Sequence, residues 1–147
     1  MAIPKELAEL MQTTHRAAQA GNRKSALDSL EAFSFLLAIQ DSSTDFEFVS
    51  MLAVVGKLYE SMNEREMATL NLADTCAFAE RHFPKTAETS GDYFDLSSAL
   101  ERMGDIAGAI KALTRAEYHL VDDPTWPQYK KGIEARKMAL ESKLGSA

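Results

Sequence analysis

YFDLSSALERMGDIAGAIKALTRAEYHL, residues 93–120, is the stretch that decides how this chain folds. Apolar and small residues recur every three to four positions on both sides of the interruption RMGD, which is the period of a helix that buries one face. Gly104 stands at the interruption, where a tight helix-to-helix turn requires a residue that accepts left-handed backbone. Five residues on comes Ala109, small enough to let two helix backbones approach. These features predict a helical hairpin.

The same pattern occurs twice more upstream. Ala26, Ala68 and Ala109 are spaced 42 and 41 residues apart, and the residues at fixed offsets from them match in type. Five before stand Gly21, Asn63 and Gly104; nine before, Ala17, Tyr59 and Leu100; sixteen before, Leu10, Leu52 and Tyr93; four after, Leu30, Leu72 and Leu113. Breaker clusters close each unit: QDSST at 40–44, HFPKT at 82–86 and VDDPT at 121–125. A repeat of this kind buries its core between neighbouring units. Helices are expected over 4–20, 23–39, 45–61, 64–82, 86–103, 105–121 and 126–143. Thr44 with Glu47, and Asn63 with Glu66, have the spacing of helix-start signals. Glu64 with Glu66 and Asp92 with Asp95 are read as first-turn carboxylates favoured by the helix dipole.

Gly104, Asp105, Ala109, Leu113 and Ala116 fall where the tetratricopeptide repeat places its turn and its small packing residues, and the third unit resembles that family. The standard repeat is about 34 residues long. The longer period here, with the stretch RHFPKTAETSGDYFDL, is similar to the long-helix version of kinesin light chains. The resemblance covers residues 5–121 and implies an all-α, right-handed α-solenoid of three hairpins. The units would run over 4–40, 44–83 and 86–121 in one domain spanning 1–147, with a capping helix at 125–144. Thr13, Thr14 and Thr75 depart from the family pattern. Trp126, Tyr129, Ile133 and Leu140 would be the capping helix's inner face.

Composition narrows the function. A hydrophobic fraction of 46% and a charged fraction of 26% are those of a globular chain. A net charge of −6 argues against nucleic acid as partner. Yet residues 125–147 hold five Lys and Arg against two Asp and Glu, so the last helix is electrostatically unlike the rest and suits an acidic neighbour. The single cysteine, Cys76, cannot form an internal disulfide, and no apolar run is long enough for a membrane span. A cytoplasmic protein is expected.

A search for catalytic chemistry finds none. His15, His82 and His119 lie in different units without a second ligand at metal spacing, and each reads as a surface or packing histidine. Cys76 lies among apolar neighbours as a small buried hydrophobe. No phosphate-binding loop is present, so neither an enzyme nor a cofactor or metal is expected.

What remains is a surface for another polypeptide. The resemblance implies that the first helix of each hairpin lines a concave groove where partner peptides lie. On one face of those helices stand Met11, Gln12 and His15; Ala53, Val54 and Lys57; and Phe94, Asp95, Ser98 and Arg102. Met11, Val54 and Phe94 would make an apolar stripe flanked by Lys57 and Arg102, unless they are interhelix core. Where the family's carboxylate clamps use lysine and asparagine, this chain has Met11 and His15, so an amphipathic helix or extended apolar segment is the better fit. Phe94 and Leu100, six residues apart, should face different neighbours, Leu100 inside the hairpin and Phe94 toward the groove. The expected function is a protein-binding adaptor or substrate-specific chaperone; the alternative is a structural protein that assembles with copies of itself.

Overall fold

The computed structural model describes residues 5–38, 46–120 and 127–145. Among them are seven α-helices and no strand: α1 Lys5–Gln19, α2 Arg23–Ala38, α3 Phe46–Ser61, α4 Arg65–His82, α5 Ala87–Arg102, α6 Ile106–Leu120 and α7 Pro127–Gly145. The chain divides into two compact units, Met1–Ala68 and Thr69–Ala147. The breakers QDSST and VDDPT, Thr44 of the Thr44–Glu47 pair and Trp126 lie outside the described residues.

The three turns have the backbone that the repeat demands. Gly21, Asn63 and Gly104 all have positive φ, at 76°, 59° and 83°. Asn63 therefore serves the turn and not the helix start. The start position falls one residue later, at Asn22, Glu64 and Asp105, whose carbonyls accept from the N–H groups of Ala26, Ala68 and Ala109. Two of these also cap with their side chains: the Ser25 N–H donates to Asn22 Oδ1 at 3.3 Å, and the Gly108 N–H to Asp105 Oδ1 at 2.9 Å. Asp92 and Asp95 lie beyond the first turn of α5, which begins at Ala87 behind the cap Thr86, so they are not first-turn residues as the sequence suggested.

In the first unit α1 and α2 form a hairpin, and α3 packs on α2. Leu7, Ala26, Leu30, Phe33, Leu37, Met51, Val55, Leu58 and Tyr59 make its core. Arg23 opens α2 and donates to the Met62 carbonyl and to Glu64, tying the start of one helix to the end of another. In the second unit α5 and α6 form the hairpin and α7 packs on α6, around Leu96, Ala99, Ala109, Leu113, Ala116, Ile133 and Leu140. Small residues allow the α5–α6 approach, close enough for the buried Ser90 hydroxyl to donate to the Ala116 carbonyl at 2.8 Å.

Two of the three threonines that depart from the family pattern are explained by local bonding, while Thr13 is exposed. Thr14 and Thr75 have no accessible surface. Each hydroxyl donates to the carbonyl four residues back, Leu10 and Asn71, at 2.8 Å. A hydroxyl so satisfied occupies a small packing position without an unpaired polar atom.

Leu30 and Leu113 hold equivalent positions in two hairpins and are wholly buried, so Leu30→Ala or Leu113→Ala should each cost about 2–5 kcal/mol in urea unfolding. A Cβ added at Gly21 or Gly104 meets nothing within 4 Å, so alanine there should cost only its left-handed backbone, about 1–2 kcal/mol. A neutral result at either glycine would contradict the turn assignment.

Candidate functional site

Four of the residues singled out in the sequence come together in the first unit. Met11 and His15 of α1 and Val54 and Lys57 of α3 line one open pocket of about 600 Å³. Ala18, Gln19, Leu58, Ser61 and Met62 complete its wall. Helical spacing puts Met11, His15 and Ala18 on one stripe of α1, and Val54, Lys57, Leu58 and Ser61 on one stripe of α3. Met11 and Val54 are half-buried; His15 and Lys57 are exposed at the edge. Gln12 is exposed but is not among the lining residues, and Ala53 is buried. No lining residue is acidic, so the pocket is an apolar floor with a neutral to basic edge.

The remaining candidates belong to the second unit. Phe94 is half-buried against the core of that unit, and its ring lies 6.0 Å from that of Tyr129 on α7. Leu100 is half-buried against the same core. The two do lie on different faces of α5, but α7 arrives on the Phe94 side, so Phe94 gives part of its surface to the last helix. Asp95 and Ser98 are half-buried one and four positions further along, and Arg102 is exposed at the helix end. The Ser98 hydroxyl turns back to the Phe94 carbonyl at 3.4 Å.

The basic last helix finds its acidic neighbour within the chain. Lys143 donates to Glu101 of α5 at 3.1 Å, Arg136 donates to the same carboxylate, and Lys137 pairs with Glu117 of α6 at 3.1 Å. Burial alone would raise the Glu101 pKa, but Lys143 and Arg136 outweigh it and hold the carboxyl below its ordinary range. Ile133 and Leu140, two of the residues expected on the inner face, are fully buried, and Tyr129 is half-buried.

Sequence reasoning missed a part-buried polar cluster in the second unit, in which His119 and Tyr93 are buried and Glu80 and Arg115 are partly exposed. Glu80 of α4 accepts from Arg115, from His119 Nε2 at 3.1 Å and from the Tyr93 hydroxyl at 2.9 Å. Burial works against the Glu80 carboxylate, but the hydrogen bonds from Arg115, His119 and Tyr93 hold its pKa below the usual value. Burial and the adjacent Glu80 push the Tyr93 phenol up to about 12. Cys76 is buried nearby, and burial, reinforced by Asp92 and Asp95, raises its thiol pKa, so it stays protonated and acts as a small hydrophobe. These residues span positions 76 to 119 and share no local motif.

No family model and no curated protein matches the chain by sequence. Solved structures do match by fold. The type III secretion translocator chaperone SycD of Yersinia enterocolitica, in its alternative dimer, superposes with a TM-score of 0.62 at 16% identity over 96% of each chain. The same chaperone in complex with a peptide of the translocator YopD gives 0.59 at 16% identity, again over 96% of each chain. A further SycD structure gives 0.60 at 16% identity over 98% of this chain and 90% of the other. The class is thereby set: this is an all-helical, tetratricopeptide-like fold. It is the fold of the SycD chaperones.

Because Phe94 is shared with α7, Phe94→Ala should cost about half of the 3–5 kcal/mol typical of a fully buried phenylalanine, read from urea unfolding. Phe94→Asp should cost more, since its carboxylate would be forced against Tyr129 and beside Asp95. Unchanged stability in both would detach Phe94 from the cap and leave it to the groove.

Proposed function

We propose that this chain is a chaperone or adaptor that holds an apolar segment of another polypeptide in the pocket between α1 and α3. The observation that carries the reading is the convergence of Met11, Val54, Leu58 and Met62 on one open floor, edged by Lys57 and His15. An open apolar surface of this kind on a helical repeat is a binding surface by default. Support comes from the solved neighbour of the same fold, which was captured with a translocator peptide. Met11 and Met62 favour the reading further, because unbranched thioether side chains adapt to an incoming side chain.

The partner segment, on this reading, is an amphipathic helix or an extended apolar stretch; Asp95, Ser98 and Arg102, on α5 of the second unit, are candidate contacts of that unit by itself. The period of 41–42 residues supports reading the chain as the long-repeat form of the tetratricopeptide family, with its two compact units as parts of one domain. The function requires no cofactor and no reaction, since holding a segment is the whole task. A cytoplasmic site of action fits a chain in which none of the described helices is long and apolar enough to cross a membrane.

Apolar peptides drawn from candidate client proteins provide the test. A peptide that binds should shift the methyl signals of Met11 and Val54 in NMR spectra. Val54→Asp should weaken it at least about tenfold, equal to about 1.4 kcal/mol, measured at a temperature where the variant is still folded, since Val54 is half-buried against the core and a carboxylate there also lowers the melting temperature. Binding that survives Val54→Asp, or shifts that map away from the pocket, would overturn the reading.

A further inference from the structure

The turn between α4 and α5 is held shut by an imidazole. Lys85 has a φ of 59°, in the left-handed region that residues with side chains seldom enter. Its N–H donates to Nδ1 of His119 at 2.9 Å. A ring that accepts at Nδ1 carries its proton at Nε2, and Nε2 lies 3.1 Å from Glu80 Oε1, to which it donates. The ring has no accessible surface, stacks on Tyr93 with centroids 5.7 Å apart and meets Tyr118 edge-on at 5.0 Å. Both nitrogens are therefore committed, and only the neutral ring can satisfy both bonds.

We propose that His119 is an acid-sensitive latch on the α4–α5 turn, whose protonation expels the Lys85 N–H and releases residues 83–86. An imidazolium has a hydrogen on Nδ1 as well, so donor would face donor where a bond of 2.9 Å now stands. The surroundings offer little compensation. From α4 come Glu80, already accepting from Arg115 and the Tyr93 hydroxyl, and the Cys76 thiol, which burial keeps neutral. From α5 comes the Tyr93 phenol, also neutral, and from α6 come the Arg115 guanidinium and Tyr118. The Lys85 ammonium and Arg115 both lie over the Tyr118 ring, at 4.1 and 4.5 Å, so two cations flank the ring that abuts His119.

Burial first, then Arg115 and Lys85, lower the imidazole pKa, and Glu80 offsets this only in part. A folded-state pKa below the ordinary value of about 6.5 means that the latch is fully closed above that pH. It weakens as pH falls from there toward the depressed value. Thr86, next to Lys85, is the cap of α5, so release of the turn reaches the first turn of that helix. The latch lies wholly in the second unit and does not depend on the groove.

Amide exchange and imidazole nitrogen shifts, measured on the full chain from about pH 7.5 to about pH 5, test this. At the upper end His119 should show the neutral ring protonated at Nε2. Below about pH 6.5 the opening constant of the Lys85 amide should rise by up to about tenfold per pH unit, while the amides of Leu30 and Leu113 hold steady. The rise should vanish in His119→Gln, which cannot titrate, and persist in His82→Gln, which removes the other histidine of the turn. Three results would overturn the proposal: a flat Lys85 profile, an imidazole that titrates at or above its ordinary value with Lys85 still protected, or a response that survives His119→Gln. The wild-type spectra decide the first two even if His119→Gln fails to fold.

Discussion

Two helices can lie close only where nothing large stands between them, and the rest of this structure depends on that constraint. Ala26, Ala68 and Ala109 have no accessible surface, and each follows a left-handed turn residue by five positions. The turn sets the angle at which the second helix returns, and the alanine sets how near it comes. Larger residues then fill the space on either side, such as Leu30 and Phe33 in the first hairpin or Leu113 and Leu120 in the third. A bulkier side chain at any of the three alanines would push the helices apart and leave those larger residues half-packed.

This constraint explains what was legible in the sequence. A steric rule repeated three times leaves a periodic record, and the helix limits, the three left-handed turns and the buried leucines were all readable from it. Contacts that do not repeat leave no such record. The left-handed backbone at Lys85 carries no residue signal, because lysine is there for no reason of its own; the imidazole 34 residues away holds it. Likewise Asn63 satisfies both a turn rule and a cap rule by type, and only its positive φ decides for the turn. The pocket half of the candidate site followed from the family resemblance, which chose the helices, and from helical spacing, which chose the face of Met11, His15, Val54 and Lys57. The placement of Phe94 did not, because it turns on where α7 packs.

The second unit stabilises itself in a different way from the first. Its helices bring Glu80, Tyr93, Arg115 and His119 together, a carboxylate shared by three donors. His119 and Tyr93 are withdrawn from water and costly unless each finds a partner, so their bonds to the partly exposed Glu80 limit the packings open to them. Removing one member strands the others. An apolar core of equal size would tolerate more rearrangement, because hydrophobic contacts have no direction. The polar cluster thus fixes how α4, α5 and α6 meet, and it does so around one titratable ring.

The seam between successive first helices shows why the pocket lies where it does. In the second unit α7 follows α5, and the space between them is taken up by Phe94 against Tyr129, with the Tyr129 hydroxyl 3.7 Å from where a Gly91 Cβ would stand. Arg136 and Lys143 then close on Glu101. In the first unit the matching seam is between α1 and α3, and the residue in register with Phe94 is Met11, which lines the pocket there with no aromatic residue among the described lining residues. Val54 and Leu58 line the pocket without filling it, and Lys57 and His15 stand at its exposed edge. Among the described residues the seam of the first unit presents Met11 and Val54 to an open pocket, and an open apolar seam gains by accepting a side chain from outside.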